Sequence, residues 1–69
     1  MDPDKCLAEI RELEGKITAW GRVKAEEGTN FADMMEVAGY ALRLAEAIGN
    51  LDEWLTKGGF PPRAWKKGG

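Results

Sequence analysis

Histidine and serine are missing from this chain, and cysteine occurs once, at Cys6. Without histidine there is no imidazole base, and without serine there is no serine-based triad. Cys6 as a nucleophile would have no histidine to activate it. A lone cysteine closes no internal disulfide, and a structural zinc site needs several Cys or His ligands. The carboxylates Glu9, Glu12, Glu14, Glu36, Glu46 and Glu53 fall mostly on polar faces. The sequence puts none of them in an apolar pocket that would tune it for proton transfer. The expectation is a protein that is not an enzyme and that holds neither cofactor nor metal.

Long apolar runs are also missing. The longest uncharged run, Val37 to Leu42, is far short of the ~20 residues that span a bilayer. Asp2, Asp4 and Glu9 interrupt the N-terminus, so no secretory signal is read there. A cytoplasmic protein without membrane association is expected. Acid, finally, is missing from the end of the chain. Residues 1–53 carry all twelve acids against six bases, whereas 54–69 carry Lys57, Arg63, Lys66 and Lys67 alone. The acidic body opposes nucleic acid, and three or four tail charges give only weak, salt-sensitive affinity for it.

What is present is helical patterning. Met34, Val37, Ala41, Leu44, Ile48, Leu51 and Leu55 recur at alternating steps of three and four, the seam of an amphipathic helix. Met35, Ala38, Tyr40, Leu42, Ala45 and Ala47 widen the apolar arc past half the circumference. An earlier and narrower stripe runs through Cys6, Ile10, Leu13, Ile17 and Trp20. Asp2 as N-cap with Pro3 at the first helical position starts this first helix. Gly28-Thr29-Asn30 reads as a turn. Asn30 with Asp33 approximates a capping box, and Thr29 is the alternative cap.

The spacing therefore predicts an antiparallel all-α hairpin in a single domain over residues 1–69. Its first helix covers about 3–26, its turn 27–30 and its second helix about 31–57. Asn50-Leu51-Asp52-Glu53 is itself a capping pattern, and Gly49-Asn50 could break the second helix. The stripe keeps its phase across them, so the reading is a continuous helix, kinked at most. Gly58 and Gly59 end it, and Phe60-Pro61-Pro62 cannot extend it. In the tail, residues 58–69, Phe60 and Trp65 are expected to fold back near Pro3, Leu7 and Trp54. Lys66 to Gly69 are expected to be disordered.

The ending Leu51-Asp52-Glu53-Trp54-Leu55, Gly58-Gly59, Pro61-Pro62 and Trp65 resembles the C-terminal ending of small uncharacterised proteins of actinobacteria and their bacteriophages. The resemblance covers about fifteen residues. It implies a phage or prophage origin and a host-directed or accessory role, and it names no partner.

So small a chain has a marginal core and commonly needs a second copy of itself. The wide arc supplies the surface, with Met34, Met35, Ala38, Leu42 and Ala45 as the self-association residues and a dimer ahead of larger closed rings. Arg63, Trp65, Lys66 and Lys67 are the candidate contacts for a partner. The leading function is binding of a host or viral protein by a helical oligomer. The alternative is capture of a small anion such as a nucleotide, and nucleic-acid binding through the tail stands behind both. Arg22 and Lys24 read as solvated surface beside Glu26 and Glu27. Cys6 reads as a small buried hydrophobe, with an inter-chain disulfide as the minor alternative.

Overall fold

The first turn of the chain is built by its side chains. Asp2 sits in extended backbone, and its carboxylate accepts the amides of Asp4 and Lys5. That satisfies two of the donors a helix N-terminus leaves free. The computed structural model describes residues 1–66. In it α1 runs Pro3–Glu27, and α2 runs Phe31–Thr56 without a break at Gly49-Asn50. A short 3-10 turn, Arg63–Trp65, follows. The two long helices pack against each other as an all-α hairpin.

The turn is fixed from both sides. The Asn30 side chain accepts the Asp33 amide at 2.8 Å, and Asp33 accepts the Asn30 amide in return. Lys24 in the last turn of α1 reaches Asp33 at 3.2 Å and Glu27 at 3.9 Å. Lys24, expected as solvated surface, is thus part of the hairpin's closure.

At the far end α2 closes in a Schellman arrangement. The Gly58 amide donates to the Leu55 carbonyl at 3.1 Å, and Gly59 donates to Trp54 at 2.8 Å. Gly58 holds φ at +95°, where a Cβ is strained. Gly59 lies so close to the Trp54 indole that a Cβ there would collide with the ring.

The seam that α2 turns toward α1 corrects the sequence expectation. The shielded positions are Asp33, Val37, Tyr40, Leu44, Ala47, Leu51 and Trp54, again at steps of four and three, together with Leu55; Val37, Leu44, Leu51 and Leu55 are the expected seam residues that stay in it. Met34, Ala41 and Ile48, expected in the seam, are exposed. The reason lies in residues that do not look like core. Asp33 is drawn inward by Lys24, and the Tyr40 ring carries the Lys16 ammonium 5.5 Å from its centroid. Ala47 lets α1 come close enough for the Cys6 thiol to donate to its carbonyl at 3.2 Å. Among the described residues the buried set is small: Leu7, Leu13, Ala47 and Leu51, with Pro3 and Pro62 at the far end.

The tail folds back, but the plug is not aromatic. Pro3 and Pro62 are the side chains buried most completely. Phe60 meets Trp54 edge-on at 5.5 Å, and its carbonyl accepts the Trp54 indole N–H at 2.8 Å, yet its ring stays largely exposed. Lys66, expected to be disordered, donates its amide to the Arg63 carbonyl. Lys67, Gly68 and Gly69 lie outside the described residues.

Candidate self-association face

Rotating the seam toward Tyr40 and Trp54 moves the rest of the apolar arc out into solvent. Phe31 is 75% exposed, Leu42 66%, Met35 58%, Met34 51% and Ile48 49%. Ala38, Ala41, Ala45 and Gly49 lie between them and are exposed too. At 100° per residue, this arc is centred roughly 130° around α2 from the seam that meets α1. No charged residue falls within it from Phe31 to Gly49; Glu36, Arg43 and Glu46 lie on the remaining strip. Five large apolar side chains on one uninterrupted helical face form a patch that monomers rarely expose without a use.

All five residues assigned to self-association from the sequence, Met34, Met35, Ala38, Leu42 and Ala45, fall within this arc. Phe31, Ala41, Ile48 and Gly49 belong to it as well. Ala41 and Ile48 come from the stripe expected in the seam, and a signal for Phe31 and Gly49 exists in the sequence. Phe31, Met35, Ala38, Leu42, Ala45 and Gly49 form a second heptad-spaced series beside the first. One helix with two such series has two sides to bury.

The tail residues are placed differently. The Arg63 amide donates to Asp4 at 2.7 Å, and its guanidinium lies 3.5 Å from the same carboxylate. Arg63 and Lys66 line one cleft with Asp2, Asp4, Phe60 and Pro61, so acids offset the bases there. Trp65 lies on the other side, against Ile10, Ile48, Leu51 and Leu55, at a shallow apolar cleft of about 260 Å³. Arg63 and Trp65 therefore do not converge on one site. Lys67 lies outside the described residues.

Two further groups bear on chemistry. Burial raises the pKa of the Cys6 thiol above its ordinary value, and the Glu9 charge adds to the shift. Both disfavour the reactive thiolate. The Trp20 indole N–H is buried without a hydrogen-bond partner among the described residues. No group of three His, Cys, Asp or Glu side chains that could hold a metal ion occurs among the described residues. No helix among them is long and apolar enough to cross a membrane.

No protein-family model, curated protein or solved structure matches the chain.

Proposed function

We propose that this protein works by binding, as a self-assembled helical oligomer whose first step is a dimer formed through the outward face of α2. The observation that carries this is the uncharged face from Phe31 to Gly49, exposed on a hairpin whose fully buried positions, among the described residues, are three leucines, an alanine and two prolines. Burial of apolar surface is worth roughly 25 cal/mol per Å². A chain with so little core gains most by covering this face.

The chain's dimensions agree. It measures 43 × 23 × 14 Å, so it is one helix thick. Stable domains bury apolar faces between at least two layers. Its accessible surface of 5224 Å² exceeds the about 4,300 Å² typical of a folded monomer of this mass. The excess is close to the roughly 800 Å² that one partner contributes to a standard interface.

The host- or virus-directed role implied by the C-terminal resemblance would then belong to the assembled form. The anion-binding alternative gains no support from the tail, where Asp4 already occupies Arg63.

Thermal unfolding across a wide concentration range tests the proposal. A self-associating chain has a Tm that rises with protein concentration. A Tm that does not move would contradict it.

A further inference from the structure

The outward face does more than invite a second copy; it specifies the direction in which that copy lies. Resting on the assembly proposed above, we infer that two chains pair α2 against α2 in antiparallel fashion, about a two-fold axis between Ala41 and Leu42.

Ala38 and Ala45 lie along the midline of the face. Seven residues separate them, two helical turns, so they stay in line. Met34, Ala41 and Ile48 flank that midline on one side, and Phe31, Met35 and Leu42 on the other. In an antiparallel pair each flank meets the same flank of the second copy. Ala38 then faces Ala45 of the second copy, at the line of closest approach. On one flank Met34 meets Ile48 of the second copy and the two Ala41 side chains adjoin. On the other, Met35 reaches over Gly49 of the second copy and the two Leu42 side chains meet at the axis. The small pairs let the helices approach along the midline, and the large side chains of Met34, Met35, Leu42 and Ile48 fill the space on either flank. The contact is isologous and closes at two chains.

Charge distinguishes this direction from the parallel one. Asp52 continues the face one turn beyond Ile48. A parallel pair would set Asp52 beside Asp52 of the second copy at the edge of an apolar contact, where like charges repel. The antiparallel pair sets Asp52 level with Phe31 of the second copy. That is the N-terminal turn of its α2, where free amides carry partial positive charge.

Cysteine cross-linking in solution reads the register. Two variants are made in a Cys6→Ala background, one with Ala38→Cys and the other with Ala45→Cys. In the antiparallel pair, a given alanine lies about 10 Å along the axes from its own copy, at 1.5 Å per residue. That is too far for a disulfide, whose Cβ atoms sit about 3.5–4.5 Å apart. Under mild oxidation each variant alone is expected to stay unlinked, while the mixture gives a dimer joining position 38 of one chain to 45 of the other. Linkage within each single variant would overturn the inference in favour of parallel pairing, and no linkage in any sample would overturn the register. The mass of the unoxidised native chain separates the two ideas. Twice the chain mass with the wrong cross-links removes this register alone, whereas a single-chain mass removes the assembly as well.

Discussion

The backbone amide of Arg63 donates to the Asp4 carboxylate at 2.7 Å, a link across 59 residues. Asp4 also lies in the first turn of α1, where a negative charge suits the helix dipole. One side chain thus joins the start of the first helix to the tail that closes the hairpin's end over Pro3 and Pro62. Its second contact, to the largely exposed Arg63 guanidinium at 3.5 Å, adds little in water.

Asp4→Ala should therefore loosen the tail and cost about 0.5–1.5 kcal/mol, the range of an ordinary hydrogen bond, since water screens the charge at this exposed site. Asp4→Asn, which keeps an acceptor oxygen, should cost less. Urea unfolding of the three proteins checks the order. Equal stability of Asp4→Ala and the native chain would show that the Asp4 contact does not hold the tail.

Gly59→Ala should be the more damaging of the two tail glycine substitutions. A Cβ at Gly59 runs into the Trp54 indole, which must swing away and release its hydrogen bond to the Phe60 carbonyl. Overpacking of this kind costs about 1–3 kcal/mol. Gly58→Ala has open space around it and costs about 1–2 kcal/mol for its positive φ alone. Tryptophan fluorescence should shift toward the solvent-exposed value with Gly59→Ala and hold with Gly58→Ala.

Much of this architecture is legible in the sequence because it is written in local chemistry. Asp2-Pro3, the Asn30–Asp33 box and Gly58-Gly59 mark helix ends by requirements that neighbouring residues set for themselves. The rotation of α2 is not local. Its apolar arc is wide enough to fit several heptad-spaced seams, and hydrophobicity alone favours the one through Met34, Ala41 and Ile48. The choice falls elsewhere because Asp33 and Trp54 satisfy their polar atoms, and the Tyr40 ring takes a cation over its face, while the rest of each side chain is shielded. Those partners, Lys24, Lys16 and the Phe60 carbonyl, come from other parts of the chain. That Met34, Met35, Ala38, Leu42 and Ala45 lie on the exposed part of the arc was legible in spite of that error, since the apolar arc has to present one side or the other. Pro62 as the plug was not legible, because it depends on the width of a gap that only the packed helices define.

Leu13→Ala removes a side chain that is 3% exposed, at the centre of the α1–α2 contact. The lost burial and residual cavity should cost about 2–4 kcal/mol. For a core this small, that is enough to unfold most of the chain at low concentration. Far-UV circular dichroism should show the loss, and its partial recovery at high concentration, where assembly adds stability. Full helicity at every dilution would mean that the core does not rest on Leu13.

Stability should also fall at alkaline pH through Cys6. Its folded pKa lies above the ordinary thiol value of 9.0, so the folded state holds this proton more tightly than the unfolded chain. The favourable contribution is complete below the unfolded pKa, and it is lost as pH rises through the folded one. The difference in stability between the native chain and Cys6→Ala should be flat below pH 8 and should narrow above about 9. A difference that widens above that pH would reverse the assignment.

The central claim is that the outward face of α2 is where copies meet, and mass in solution tests it most directly. Size-exclusion chromatography with light scattering should give the native chain twice its 7.6 kDa mass, falling toward one only on dilution. Leu42→Glu places a charge on the proposed axis without touching the seam with α1. It should keep the helix content and weaken association at least about a hundredfold, giving the single-chain mass at concentrations where the native chain pairs. A native chain of single mass at every concentration, or a Leu42→Glu variant that still pairs as tightly, would contradict the account.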